Sequence, residues 1–171
     1  MTDTTRLKGA GILWLRRSGY GYLIIGEADA GAGREDLIGY NYATATSCVI
    51  ELKASPADYM RDRAKRLRHP SYDRAAGTRR YYLCPYGMIA SEEIGDWGLL
   101  WVQPSGDIEE IKGSKRFEMS EGRLRGELRP LMAALRRYHL GQTRDRVEHV
   151  DDSSIQDGWQ LEGALPRRKG T

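Results

Sequence analysis

The 171-residue sequence has little phenylalanine, cysteine and histidine, and it contains no long apolar run. Only one Phe is present, but ten Tyr and four Trp supply aromatic bulk that keeps a polar group. Because no run of 18 apolar residues occurs, we expect no transmembrane helix. The first residues lack the apolar core of a signal peptide. These absences together predict a cytoplasmic protein without a membrane partner.

The few metal-binding residue types are widely spread. Cys48 and Cys84 fall in separate predicted strands, so we expect reduced core cysteines and no disulfide. His69, His139 and His149 show no zinc-ligand spacing with them. No glycine-rich nucleotide loop has the required strand–helix context, and no Ser/His/Asp triad is evident. Composition therefore argues against a zinc protein, a nucleotide-binding enzyme and a serine hydrolase.

The most informative stretch is a predicted β-hairpin. Residues 34–40 and 47–53 are β-rich, and the short run 43–46 between them suits a turn. Alternation along a strand places Glu51 and Lys53 on one face. If Asp36 pairs opposite either residue, all three polar side chains share that face, whereas a slip of one residue would move Asp36 to the other. The hairpin therefore predicts a cluster of two carboxylates and one ammonium.

Such a cluster suits the hydrolysis of a phosphodiester. Carboxylate oxygens are ligands that Mg²⁺ prefers, and the metal lowers the pKa of a bound water. A lysine beside it can orient that water and offset charge on the phosphorus. The alternative interpretation is a solvated strand face with a weak ion pair.

A basic helix is predicted directly after the hairpin. Ser55 is suited to cap it, Pro56 to the first helical position, and Asp58 completes a capping-box-like pattern. Residues 59–82 carry eight Lys/Arg against two Asp/Glu, a net charge of +6, although the whole chain is only +3. Local basic patches generate affinity for phosphates, although a charge run also suits a solvated face. The candidate nucleic-acid contacts are Arg61, Lys65 and Arg68, with Arg66 beside them and Tyr72 in the following turn.

The same helix has an apolar pattern from which we predict its orientation. Ala57, Met60, Ala64 and Leu67 recur at helical spacing. We therefore expect these four side chains to face the sheet and the basic stripe to face outward.

Asp36, followed on the next strand by Glu51-Leu52-Lys53 and then by a helix, resembles the PD-(D/E)XK nuclease superfamily. Its signature is an Asp followed on the next strand by Glu-x-Lys. The runs 50–59 and 79–85 are similar to small bacterial and phage-borne members that are linked to DNA repair. The resemblance covers about residues 7–112. It departs from the motif at Glu35, which stands where the signature has Pro.

This resemblance implies a Mg²⁺- or Mn²⁺-dependent endonuclease that acts on DNA, in DNA repair or in phage DNA processing. Asp36 and Glu51 would hold the metal together with the carbonyl of Leu52, and Lys53 would serve the attacking water. Glu27 is either a third carboxylate, as in some related nucleases, or a surface residue at a strand end.

The predicted fold class is α/β, with a mixed central sheet of about five strands flanked by helices, as in restriction endonucleases. Residues 1–140 would form the nuclease-like domain and residues 141–171 a flexible polar tail. The long C-terminal helix has an apolar face that should either cover the domain or pair with a second copy in a homodimer, and Pro130 should kink or divide it. That face consists of Leu124, Leu128, Leu131, Leu135 and Tyr138.

Two rival functions remain open at the level of sequence. One is a non-catalytic module that keeps the nuclease fold and binds DNA or a protein. The other is a nuclease that acts on RNA or on branched DNA, because groove shape, which decides this preference, is not readable from the residues.

Overall fold

The computed structural model describes residues 3–25, 36–68, 76–139 and 148–149. Three α-helices, one short 3-10 helix (Ser91–Glu93) and seven strands occur in these ranges. The helices are α1 (Asp3–Arg17), α2 (Pro56–Arg68) and α3 (Glu121–His139). The strands are β1 (Tyr22–Ile25), β2 (Leu37–Asn41), β3 (Thr46–Leu52), β4 (Arg79–Pro85), β5 (Gly98–Val102), β6 (Ile108–Lys112) and β7 (Glu148–His149).

All described strands belong to one mixed sheet, in the order β6-β5-β4-β3-β2-β1-β7. The three central strands β3, β4 and β5 run parallel to one another. The remaining pairs are antiparallel, including the predicted hairpin β2–β3. The α/β class and the mixed sheet are therefore confirmed. The sheet has seven strands where about five were predicted, and one of the additional strands is the two-residue β7.

Helix α1 covers one face of the sheet. Its residues Leu7 and Leu15 are buried in a core cluster with Leu37, Ile50 and Leu83 from three strands, and the full cluster has twelve buried residues. A Cβ atom on Gly11 would lie 2.6 Å from Leu37 Cδ1. Glycine at that position, which costs helix propensity, therefore allows α1 to lie close against the sheet.

Helices α2 and α3 pack on the opposite face. Tyr59 of α2 packs with Tyr82 and Trp97 in one buried cluster, and Ala134 of α3 packs with Ile38 and Val49 in another. Because successive side chains of a strand point to opposite faces, Val49 and Glu51 lie on this face while Ile50 lies under α1. The candidate site is therefore on the side of the sheet that carries α2.

One of the two alternatives predicted for the apolar face of α3 is wrong. Leu124, Leu128 and Leu135 are between 45% and 65% exposed, so these residues do not cover the domain. Of the predicted apolar face, Leu131 packs partly against the core, and the side chain of Tyr138 lies outside the described residues. Pairing with a second copy stays a prediction.

A buried carboxylate anchors α3 instead. Glu127 is 6% exposed, and one of its oxygens accepts hydrogen bonds from Ser47 Oγ and from the Gly77 N–H. Helix α3 also runs through Pro130 without division. The sequence pattern did not predict this anchor, because a glutamate on a helix is usually a surface residue. Its partners, Ser47 on β3 and Gly77 before β4, are known only from the structure.

The two cysteines behave as predicted. Cys48 lies in β3 and Cys84 in β4, and both are buried free thiols. Burial raises the pKa of the Cys84 thiol to about 12 and that of Cys48 further. Both groups are therefore protonated and unreactive core residues at neutral pH.

Two further predictions concern the ends of the chain and the membrane. No helix among the described residues is long and apolar enough to cross a membrane. Residues 148–149, which we assigned to a flexible tail, form β7 at the edge of the sheet. The rest of the predicted tail lies outside the described residues.

Candidate active site

The hairpin register brings Asp36 and Glu51 to one face. Leu37 pairs with Ile50 across β2 and β3, so Asp36, one residue earlier, lies opposite Glu51. This is one of the two registers that were predicted to unite the polar groups. The Leu52 N–H donates a hydrogen bond of 2.8 Å to Asp36 Oδ2, which holds the carboxylate against the strand that carries Glu51.

Lys53 follows directly after β3 and continues its alternation. Its N–H donates to the Leu83 carbonyl of β4 at 2.9 Å, so the ladder between the two strands extends one residue further. The Lys53 side chain is 6% exposed, and its Nζ lies 3.6 Å from Glu51 Oε2. The structure therefore brings Glu51 and Lys53 together, as predicted, on the face toward α2.

The cap of α2 begins directly beyond this lysine. The Asp58 N–H donates to Ser55 Oγ at 3.2 Å, and the Tyr59 N–H donates to the Ser55 carbonyl. These bonds satisfy N–H groups that the first helical turn leaves free. The predicted N-cap is confirmed, and it fixes the start of α2 three residues after Lys53.

The orientation of α2 differs from the prediction. Met60 is 53% exposed and Ala57 is exposed, whereas Tyr59 is buried against Tyr82. The large aromatic ring fills the space above the sheet better than the small apolar side chains would, so packing sets the rotation of the helix. This rotation turns Asp62 toward the site.

Asp62 is a site residue that sequence reasoning missed. Its Oδ2 lies 3.8 Å from Lys53 Nζ and accepts a hydrogen bond of 2.8 Å from the Tyr82 hydroxyl. The Lys53 ammonium therefore lies between Glu51 and Asp62, at ion-pair distances longer than the roughly 2.7–2.9 Å of a charge-assisted hydrogen bond. Asp62 is one of two acidic residues in this otherwise basic helix, the other being Asp58 in the first turn, and no sequence signal distinguished the two.

Burial dominates the electrostatics of Asp36. Loss of hydration raises the pKa of its carboxyl above 3.8, while the Leu52 N–H and the Lys53 charge lower it. The carboxylate of Asp58 adds to the rise, and Lys8 of α1 opposes it. A bound cation would favour the charged form of this carboxyl, so the environment of Asp36 suits a metal ligand.

The donor set for a metal is small. Among the described residues, no group of three or more His, Cys, Asp and Glu could hold a metal ion. The proposed ligand set has two carboxylate side chains, Asp36 and Glu51, and the backbone carbonyl of Leu52. Mg²⁺ is often bound by one or two protein carboxylates, with water and substrate phosphate as its other ligands. Glu27, the predicted third carboxylate, lies outside the described residues.

The predicted nucleic-acid contacts are described in part. Arg61 on α2 has a side chain that is 75% exposed and forms a loose ion pair with Asp58 at 3.5 Å. Lys65, Arg66 and Arg68 belong to α2, and the structure describes their backbone but not their side chains. Tyr72 lies outside the described residues. Arg63, which was not in the predicted set, pairs with Glu93 at 3.2 Å.

The structure defines an α/β protein with helices on both faces of one mixed sheet. No family model and no curated protein matches the sequence. Among solved structures, the chain is similar to SPO1766, a protein of unknown function from Silicibacter pomeroyi. The match has a TM-score of 0.55 and 20% identity, and it covers 84% of this chain and 93% of that chain. It supports the fold and carries no information about activity.

Proposed function

We propose that this protein is a metal-dependent nuclease that hydrolyses DNA phosphodiester bonds and has a restriction-endonuclease-like fold. The observation that carries the proposal is the position of Asp36 opposite Glu51, with buried Lys53 two residues further along the same strand direction. With this register and the alternation of β3, the carboxylates of Asp36 and Glu51 and the ammonium of Lys53 lie on the same face of the sheet, at the C-terminal end of β3.

Each group then has a chemical role. Asp36 and Glu51, with the Leu52 carbonyl, would hold Mg²⁺ or Mn²⁺, which polarises the phosphate and supplies a water of lowered pKa. Lys53 orients the attacking water and stabilises charge that develops on the phosphate. Its burial favours this role, because a poorly hydrated ammonium interacts more strongly with nearby anions than an exposed one.

One positive charge acts on Asp36, and another lies exposed on α2. Lys8 of α1 is close enough to lower the pKa of Asp36, and exposed Arg61 is on α2. Contacts from such residues would position the phosphate backbone without reading the base sequence. A nuclease of this kind would therefore bind DNA with strong salt dependence and little sequence preference.

A cleavage assay with supercoiled plasmid and single-stranded DNA tests the proposal. Purified protein is incubated with Mg²⁺, Mn²⁺ or EDTA, beside the variant Lys53→Ala and the matched control Lys115→Ala, a lysine that is 65% exposed in a surface ion pair. We expect metal-dependent cutting that Lys53→Ala loses by about 100-fold or more and that Lys115→Ala retains.

Other outcomes of this assay are also informative. Cutting that survives Lys53→Ala would contradict the assignment of the site. Salt-sensitive binding without cutting on any DNA substrate would contradict the nuclease and favour a non-catalytic DNA-binding module. Parallel reactions with RNA and with branched DNA decide between the remaining substrate classes.

A further inference from the structure

The Tyr82 hydroxyl and Asp62 form a fixed pair beside Lys53. Tyr82 is fully buried, its ring stacks on Trp97 at a centroid distance of 4.6 Å, and Tyr59 meets it edge-on at 5.4 Å. Aromatic contacts on two sides leave this ring little freedom. Its hydroxyl therefore donates to Asp62 Oδ2 from a fixed position.

The ammonium of Lys53 depends on more than one acceptor. Its Nζ lies 3.6 Å from Glu51 Oε2, 3.8 Å from Asp62 Oδ2 and 5.7 Å from the centroid of the Tyr82 ring. The lysine is 95% buried, and a buried ammonium without a compensating carboxylate is strongly unfavourable. Two carboxylates and one aromatic face together compensate its charge.

Glu51 is assigned two partners in the proposed nuclease. It pairs with Lys53 in the structure, and it would also be a ligand of the metal. A divalent cation on Glu51 would compete with Lys53 for the charge of that carboxylate. Asp62, which has no assigned metal role and is oriented by Tyr82, is then the carboxylate that remains to hold Lys53.

We propose that Asp62, oriented by Tyr82, is a positioning residue that holds the Lys53 ammonium at the reacting phosphate while Glu51 binds the metal. This inference rests on the proposed nuclease function. It assigns a role to α2 beyond its basic surface, because the same helix carries the acidic anchor of the catalytic lysine.

The kinetic test compares Asp62→Asn and Tyr82→Phe with the control Asp96→Asn, a carboxylate that is 62% exposed. We expect kcat to fall by about 10- to 100-fold in Asp62→Asn, as is typical for groups that orient catalytic residues, with KM for DNA unchanged. Tyr82→Phe keeps the ring and removes the hydroxyl alone, so a smaller fall in kcat is expected. Asp62→Glu should restore part of the activity, and Asp96→Asn should behave as wild type.

Calorimetric titration with Mn²⁺ separates positioning from metal binding. Asp62→Asn should bind Mn²⁺ with unchanged affinity, whereas Glu51→Gln should bind it more weakly. Loss of Mn²⁺ affinity in Asp62→Asn would overturn the inference, because Asp62 would then be a metal ligand. Unchanged kcat in both Asp62→Asn and Tyr82→Phe would also overturn it.

A double-mutant cycle on unfolding tests the anchor without any cleavage. Asp62→Asn should destabilise the protein more in a Glu51→Gln background than in wild type, because Lys53 then loses both carboxylates. The same substitution should have a smaller effect in a Lys53→Met background. If Asp62→Asn lowers the free energy of unfolding equally in wild type and in both variant backgrounds, Asp62 does not hold Lys53 and the inference fails. If wild type cuts no substrate, the proposed function fails, and this cycle alone decides whether Asp62 anchors the lysine.

Discussion

At the scale of single residues, the site combines groups that stabilise the fold with groups that strain it. Asp36 belongs to the second kind, since burial raises its pKa even though the Leu52 N–H and the Lys53 charge favour its ionised form. The folded state therefore holds the Asp36 proton more tightly than the unfolded state does. Stability that this group contributes at low pH is lost as the pH rises through the raised pKa. At neutral pH the ionised carboxylate is a cost to folding.

This cost predicts the behaviour of Asp36→Asn. The variant should have a higher Tm than wild type at pH 7, because the ionisation cost is removed while the amide oxygen can still accept the Leu52 N–H. The difference in Tm between the variant and wild type should shrink below pH 3.8, where Asp36 is protonated in both the folded and the unfolded state. Calorimetry at pH 7 and pH 3 measures it, with exposed Asp96→Asn as the control. A lower Tm of Asp36→Asn at pH 7 would contradict this account, and cleavage should be lost in either case.

The ion pairs of Lys53 are also set apart by their burial. Lys53, Glu51 and Asp62 all have side chains less than 20% exposed, so their ion pairs are weakly screened by solvent. Exposed ion pairs of the same protein, such as Arg125–Glu121, contribute little in comparison. Burial therefore distinguishes the candidate site from the other charged pairs that the structure describes.

At the scale of elements, α3 shows how an amphipathic pattern can mislead. Its leucines form a periodic stripe that suggests a buried face, yet Leu124, Leu128 and Leu135 are largely exposed. The helix is held by Ala134, by part of Leu131 and by the hydrogen bonds of Glu127. An exposed stripe of this kind is typical of a surface that contacts another molecule.

The anchoring role of Glu127 leads to a prediction about stability. Glu127→Ala would leave Ser47 Oγ and the Gly77 N–H without their buried acceptor, which should lower the free energy of unfolding by about 1–3 kcal/mol. Glu121→Ala on the same helix, at a side chain that is 79% exposed, should change it by less than about 0.5 kcal/mol. Urea unfolding monitored by tryptophan fluorescence measures both. Equal effects of the two substitutions would show that Glu127 does not anchor α3.

At the scale of the whole molecule, the distribution of charge matters more than its sum. The chain carries a net charge of only +3, but residues 59–82 carry +6. This segment includes most of α2, whose first turn begins beside Lys53. Phosphate affinity is therefore expected on the side of the molecule that carries α2.

Two arginines allow a matched test of this asymmetry. Arg61 and Arg125 are 75% and 76% exposed, and each pairs with an acidic residue on its own helix. Arg61→Ala should weaken DNA binding and reduce the slope of log K against log salt by about 1, as loss of one phosphate contact does. Arg125→Ala on α3 should leave both quantities unchanged. Fluorescence anisotropy over a salt series measures the slopes, and equal effects of the two variants would argue against a DNA-binding surface on α2.

Local rules of chain geometry were enough to predict several parts of this protein. The two-residue period of a strand placed Glu51 and Lys53 on one face, and among the registers that the sequence left open the structure has the one with Asp36 opposite Glu51. The cap at Ser55 and the separation of Cys48 from Cys84 were predictable for the same reason. In each case the deciding interactions lie within one strand, one turn or one hairpin.

The rotation of the helices and the residues that complete the site depend instead on packing between distant parts of the chain. Asp62 meets Tyr82 from 20 positions away, and Glu127 meets Ser47 from 80 positions away. No periodic pattern encodes such partners, because a helix rotates to bury its largest ring or to satisfy a distant N–H, even where small apolar residues favour another face. The hairpin therefore set the candidate metal ligands, and packing across the sheet set what holds the lysine beside them.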